Sequence, residues 1–163
     1  MAGSAYVCSQ SVVKVELGIG TAAPGERVSV PITLSGAPAP AVSRIVLEIS
    51  FPAKTMSFVE AAKRLFAGSQ DLAVKAEIQG GDDTSRESSL RVEISASDVI
   101  PRGELVDLIF ELSKEVQLND EINLKNVTRA VRAPDGQLLE TAGSDGLITV
   151  LSGSIFACFF YMH

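Results

Sequence analysis

The sequence predicts an all-β fold, a β-sandwich or jelly roll of eight or nine strands. From about Val12 to Leu151, apolar and polar residues alternate in short segments, which is the two-residue period of a strand with one buried face. Glycine, proline, asparagine or aspartate closes each segment. A single stretch, 58–66, has a weak helical spacing, and so many strands with so little helix are typical of a sandwich.

The first three strands are predicted at 13–19, 28–34 and 45–51. In the first strand the residues expected to face the core are Val13, Val15, Leu17 and Ile19. The second strand carries Pro31 on its outward face, and because proline cannot donate to a strand ladder, this residue indicates an edge or a bulge; we expect the strand to border its sheet. The segment 58–66 is interpreted either as a short strand or as one or two helical turns.

Five further strands are predicted from the same alternation, and the polar connections between them supply the turns. Their ranges are 72–78, 90–94, 104–113, 122–133 and 147–151, with irregularity expected near Asn126 in the fourth of them. A hairpin turn is predicted at 133–136, where Pro134, Asp135 and Gly136 favour a tight reversal. We interpret residues 12–151 as one sandwich domain.

The two ends of the chain lie outside this pattern. Residues 1–11 are interpreted as an N-terminal extension or vector-derived residues, and 152–163 as an apolar C-terminal tail. The run 155–162 is far shorter than the roughly 20 residues of a membrane helix, so no membrane span is expected. The tail could instead form an extra strand or a homodimer contact. Cys8 and Cys158 would lie at opposite ends of the sheet if the first and last strands run parallel, and we expect free thiols.

Composition excludes several classes of function. The only histidine is His163, the last residue, so a nucleophile activated by histidine is not expected. The formal net charge of −6 and the absence of a cluster of basic residues in the sequence argue against nucleic acid as a partner. The chain has no tryptophan, and its tyrosines, Tyr6 and Tyr161, lie near the ends, which leaves no aromatic platform for a sugar ring.

The order of the turn and strand segments resembles that of the cohesin domain over about residues 12–151. The matching pieces, in order, are Ala23-Pro24-Gly25-Glu26, 28–34, 45–51, Pro101-Arg102-Gly103-Glu104-Leu105, Leu108-Ile109-Phe110, Asn126-Val127 and 146–150. The resemblance implies a nine-stranded jelly roll from a bacterial, secreted or surface-attached protein. It also implies a non-catalytic module without a cofactor of its own, because cohesins bind dockerin modules and the dockerin carries the calcium.

Two departures from the cohesin pattern indicate a divergent, non-cellulosomal module. Cohesins commonly have an aromatic-Asp-Pro turn after the third strand, whereas here Phe51 is followed by Pro52 and Ala53. Well-known cellulosomal cohesins place an asparagine and an aspartate on the third strand to bind the dockerin, and those places hold Arg44 and Val46. Carbohydrate binding, as in similar cellulose-binding modules, and a structural or adhesin spacer remain the alternative functions.

The candidate partner contacts are outward residues of the strands predicted at 45–51, 72–78, 90–94 and 122–133. They are Arg44, Val46, Glu48, Lys75, Glu77, Arg91, Glu93 and Lys125. Opposite charges on such a face would fix the register of a docked protein and speed its encounter. The alternative is a solvated strand face on which each cross-strand pair contributes only about 0.2 to 1 kcal/mol.

Three weaker motifs receive no functional role. The loop 80–83, with Asp71 or Glu87 nearby, could offer oxygens to calcium but lacks EF-hand spacing, and is interpreted as a plain acidic loop. Asp98, Glu104 and Asp107 could supply a carboxylate pair for glycoside hydrolysis, but nothing in the sequence would hold the sugar. The glycosylation sequon that begins at Asn126 falls within a predicted strand.

Overall fold

Two β-sheets pack face to face in the computed structural model, which describes residues 12–37, 39–66, 71–80 and 86–152. The described residues form eleven strands and no α-helix, so the predicted all-β fold is confirmed. The strands are β1 (Val13–Leu17), β2 (Ile19–Ala22), β3 (Arg27–Ser35), β4 (Arg44–Pro52), β5 (Met56–Lys63), β6 (Leu72–Gln79), β7 (Glu87–Ala96), β8 (Gly103–Leu112), β9 (Glu121–Arg132), β10 (Thr141–Ser144) and β11 (Gly146–Val150). Both cysteines and the run 155–162 lie outside the described residues.

The strand order defines a five-stranded and a six-stranded sheet. The five-stranded sheet runs β10-β1-β3-β8-β5, and the six-stranded sheet runs β2-β11-β9-β4-β7-β6. The pairs β1–β10 and β2–β11 are parallel, and the other pairs are antiparallel. The four strands predicted to share a face, β4, β6, β7 and β9, lie in one sheet.

The core between the sheets is formed by the inward half of each alternating segment. Phe110 of β8 is fully buried, and its ring makes edge-to-face contacts with Phe51 of β4 and Phe58 of β5 at centroid distances of 5.3 and 5.7 Å. Phe51 belongs to the six-stranded sheet, whereas the other two rings belong to the five-stranded sheet. The aromatic cluster therefore joins the two layers.

The single first strand predicted at 13–19 is wrong, because the chain changes sheet at Gly18. β1 belongs to the five-stranded sheet and β2 to the six-stranded sheet. The crossing inverts the alternation, so that Gly20 and Ala22 are buried while Ile19 is 71% exposed. Ile19 is therefore not a core residue, although it continues the pattern of Val13, Val15 and Leu17.

The expected edge position of the second strand is also wrong, since β3 lies between β1 and β8. The antiparallel β1–β3 ladder ends at the pair Leu17–Ile32, so it stops one position short of Pro31. Gly18 donates its N–H to the Pro31 carbonyl at 2.8 Å, and the Gly18 carbonyl accepts from Leu147 of β11 instead. The proline is tolerated inside the sheet because its missing donor falls where β1 leaves for the other layer.

Two further elements differ from the sequence pattern or go beyond it. The segment with helical spacing forms strand β5, in which Phe58 pairs with Phe110 and Glu60 with Ile109. Val59 is thus an extra residue in a β-bulge. The extra residue shifts the alternation of inward and outward side chains by one position, so that the apolar residues of this strand have a spacing like that of a helix. Strand β10 was not predicted, because four residues without a large apolar side chain carry no alternation to detect.

Candidate protein-binding face

All eight residues proposed from the sequence lie on the outer face of strands β9, β4, β7 and β6. The register sets Val46, Glu93 and Lys75 side by side in one row, and Glu48, Arg91 and Glu77 in the next. A further row sets Lys125 opposite Ser50, and Arg44 lies opposite Arg132 at the far end of the sheet. We call this outer surface, from Arg44 to Ser50 along β4 and across the three neighbouring strands, the charged face.

Three ion pairs order the side chains on the charged face. Arg44 Nη2 lies 2.7 Å from Glu93 Oε1, and Arg129 Nε lies 2.7 Å from Glu48 Oε2. On β6, Lys75 Nζ lies 3.0 Å from Glu77 Oε1. These pairs are partly exposed, so they contribute little to stability, but they restrict where the charged groups stand.

Val46 occupies the middle of the charged face and is nevertheless buried, with 5% of its surface exposed. The register places it between Glu93 of β7 and Ala130 of β9, while Arg44 and Glu48 flank it along β4. The middle of the face is therefore closed over by its neighbours. A partner that lands on the free protein would meet the charged rim and not this apolar side chain.

Arg129 is a residue of the face that the sequence analysis missed. Val46 pairs with Ala130 and Leu47 with Thr128, so Arg129 is the extra residue of a β-bulge. The bulge lies three residues beyond Asn126, near which an irregularity was expected. A signal for it exists in the sequence, because the buried positions Ile122 and Leu124 are even-numbered whereas the buried Val131 is odd-numbered.

The hydrogen bond from Arg129 lowers the pKa of the Glu48 carboxyl below its usual value. Burial opposes this effect, and the charges of Arg129 and Arg91 and a hydrogen bond from Ser89 at 3.2 Å reinforce it. A lowered pKa means that the stabilisation from this pair is complete at neutral pH. It is lost as the pH falls through the pKa that Glu48 has in the folded state.

We therefore expect Arg129→Gln to raise the pKa of Glu48, because the variant removes the main group that stabilises the carboxylate. The measurement is an NMR titration of the Glu48 side-chain carboxyl in wild type and variant. Arg44→Gln is the matched control, since Arg44 pairs with Glu93 and not with Glu48. Equal Glu48 titration curves in wild type and Arg129→Gln would contradict the pairing.

The sequon asparagine has a structural role. The Asn126 side-chain amide donates to the carbonyl oxygens of Val15 at 3.0 Å and Ser144 at 3.2 Å, and its backbone N–H donates to Asp145 Oδ1 at 2.8 Å. These bonds tie β9 to β1 and to the end of β10. The amide nitrogen that a glycan would occupy is thus already used inside the fold.

Two of the three carboxylates considered for catalysis, Glu104 and Asp107, are paired with an arginine, whereas Asp98 is exposed. Arg64 contacts Asp107 through two parallel bonds of 2.8 Å, from Nε to Oδ2 and from Nη2 to Oδ1, and it also pairs with Glu104. The carboxylate oxygens of both acids are therefore already engaged by a cation of the same chain. A cleft of about 370 Å³ lies beside this cluster, lined by Arg64, Leu65, Phe66, Arg102, Gly103 and Glu104.

Metal-binding and membrane-spanning features are not found in the described parts of the chain. Among those residues, no three histidine, cysteine, aspartate or glutamate side chains gather to hold a metal. Most of the acidic loop 80–83 lies outside the described residues. No helix long and apolar enough to cross a membrane occurs within the described ranges.

Comparison with solved structures identifies the fold. The third cohesin of ScaC from Acetivibrio cellulolyticus, in complex with the ScaB dockerin, superposes with a TM-score of 0.67 at 16% identity, covering 86% of this chain and 100% of that one. A non-cellulosomal cohesin from the archaeon Archaeoglobus fulgidus gives 0.65 at 16% identity, covering 88% and 93%. This chain has the cohesin fold.

A third cohesin structure supports the same fold assignment. The cohesin in the OlpA cohesin–Doc918 complex from Clostridium thermocellum, described as a type I cohesin–dockerin complex, gives a TM-score of 0.65 at 15% identity, covering 86% of this chain and 99% of that one. No family model and no curated protein matches the chain. The resemblance to cohesins seen in the sequence is thus confirmed at the level of the fold.

Proposed function

We propose that this chain is a non-catalytic protein-binding module that docks a dockerin-like partner on the charged face. The observation that carries the proposal is that face itself, an outward four-strand surface with ordered charges on a cohesin fold. Solved cohesins of the same fold occur in complexes with dockerins. A module of this kind brings proteins together by complementarity of shape and charge, and no residue in it needs to react.

Carbohydrate binding has less support than protein binding. The outward positions of the charged face carry charged, small or aliphatic side chains and, within the described strands, no aromatic ring that could stack on a sugar. We further propose that the module works outside the cell or at its surface, as part of a larger protein. This location is the one that the resemblance to cohesins implies.

The direct test is calorimetric titration of the chain with a panel of dockerin modules in the presence of calcium. We expect at least one member to bind in a saturable, one-to-one manner. Calcium belongs in the buffer because the dockerin and not this chain is expected to need it. The absence of binding across the panel would remove the dockerin proposal.

A bulky substitution locates the binding surface. Val127 lies on β9 beside Glu48 and is 37% exposed, so Val127→Trp would place a large side chain on the charged face without entering the core. We expect this change to weaken dockerin binding by about tenfold or more, equivalent to about 1.4 kcal/mol. The bulk of the tryptophan would hold a partner away from the charged face, and the titration above measures the loss.

The matched control is Val59→Trp on β5 of the other sheet. Val59 is 36% exposed, nearly the same fraction as Val127, but it lies on the five-stranded sheet. We expect its binding to equal that of the wild-type chain. Equal loss of affinity in both variants would place the binding surface elsewhere.

A further inference from the structure

The charged face carries an excess of positive charge on an acidic protein. Over the rows from Arg44 to Ser50, six cationic side chains stand against the three carboxylates Glu48, Glu77 and Glu93, whereas the whole chain has a net charge of −6. The six are Arg44, Lys75, Arg91, Lys125, Arg129 and Arg132. Glu87, in the next row beside Pro52, adds one carboxylate and leaves the face basic.

The excess is concentrated along strand β9. On β6 and β7 the cations Lys75 and Arg91 alternate with Glu77 and Glu93, so these strands are locally neutral. The outward positions of β9 from 125 to 132, apart from Ala130, instead carry Lys125, Val127, Arg129 and Arg132, and no carboxylate. We call these four residues the β9 strip.

Two cations of the β9 strip form no ion pair within the described residues, and the nearby Asp145 carboxylate accepts the Asn126 N–H. Lys125 is exposed and lies opposite Ser50, and Arg132 Nη1 donates to the neutral carbonyl of Gly136 at 2.8 Å. Arg132 also lies opposite Arg44, whose guanidinium is paired on its other side with Glu93. The charge of the strip is therefore only partly compensated by the protein's own carboxylates.

We propose that the partner docked on the charged face presents an acidic strip of carboxylates aligned with β9. This inference rests on the proposed function and specifies the chemistry of the partner. Residues 125 and 132 are seven positions apart, which spans about 23 Å along a strand, the length of a helix of about 15 residues. Val127, in the middle, offers an apolar contact between the cations, as an acidic amphipathic helix requires.

An acidic protein fits this surface better than a nucleic acid. Three of the six cations on the face are already paired with carboxylates of the chain, and those carboxylates would repel a continuous run of phosphates. A protein partner can instead place carboxylates opposite the cations and leave the acidic positions uncharged. The partner would then choose this face by charge as well as by shape.

The test is a titration of the isotopically labelled chain with hexaglutamate, an acidic probe, monitored by NMR. The salt concentration is about 50 mM, because surface charges then act over more than about 10 Å. We expect hexaglutamate to change the amide chemical shifts along β9 of the wild-type chain. These changes should be absent in the triple variant Lys125→Gln/Arg129→Gln/Arg132→Gln. The matched control, Lys14→Gln/Lys54→Gln/Lys114→Gln, removes the same charge from exposed positions elsewhere and should respond as wild type. Scattered shift changes, or equal behaviour of the two variants, would overturn the acidic strip.

The same variants separate this inference from the proposed function. With any dockerin that binds, the β9 triple variant should lose about tenfold to a hundredfold in affinity, and raising the salt to about 500 mM should weaken the wild-type complex. Dockerin binding that is insensitive to the triple variant and to salt would support the proposed docking function but contradict an acidic strip on the partner.

Chemical-shift changes on β9 with hexaglutamate, without binding of any dockerin, would support an acidic partner but contradict a dockerin as that partner. Oligothymidine bound more tightly than hexaglutamate would overturn the acidic protein in favour of nucleic acid.

Discussion

Replacing Phe110 with alanine is expected to lower the free energy of unfolding by about 3 to 5 kcal/mol. Phe110 is fully buried, and its ring contacts one aromatic ring from each sheet, Phe51 and Phe58. Truncation removes both contacts and leaves a cavity between two layers whose backbones are fixed by their ladders. Urea denaturation followed by circular dichroism measures the loss.

Leu65→Ala is the control for that experiment. It also truncates a large apolar side chain, but Leu65 is 92% exposed, and we expect a change within about 0.5 kcal/mol. A loss of less than about 1 kcal/mol in Phe110→Ala would mean that the aromatic cluster does not join the sheets as described.

Replacing Gly20 with alanine is expected to cost about 1 to 3 kcal/mol, although it adds a single methyl group. A Cβ atom at this position would lie 2.5 Å from Val28 Cγ2 and 2.9 Å from the carbonyl oxygen of Ser29. The carbonyl belongs to the backbone of β3, so β2 would have to move away from it. The same denaturation experiment would show this cost as a lower midpoint with little change in slope.

Gly80→Ala provides the matched comparison for Gly20. No described atom lies within 4 Å of a Cβ at Gly80, so this variant should remain within about 0.5 kcal/mol of wild type. Equal losses of stability in the two variants would mean that the close approach of β2 to β3 is not the cause.

Most strands were readable in the sequence because each sheet has one buried and one solvated face. The clearest example is β4, in which Ile45, Leu47, Ile49 and Phe51 are buried as the alternation requires. The alternation also placed Arg44, Glu48 and their neighbours on an outward face, and the cohesin resemblance grouped the strands that share it. Local side-chain chemistry alone dictates these features, because a strand turns its apolar side away from water.

The errors share a physical cause, since each depends on a partner strand distant in sequence. Ile19 continues the apolar period of β1, but the chain has by then joined the other sheet, and the side that was buried becomes exposed. Pro31 suggests an edge, but the ladder to β1 ends beside it. Arg129 is brought to Glu48 by a bulge that becomes visible only when β9 is paired with β4.

The sequence by itself determined the all-β class and the outward position of the eight face residues. These follow from the alternation, the turn residues and the composition, which are local properties of the chain. Tertiary structure alone decided which cations keep an unpaired charge, because pairing depends on register between strands far apart in sequence. Arg44 of β4 and Arg129 of β9 reach carboxylates on adjacent strands, whereas Lys125 and Arg132 form no ion pair.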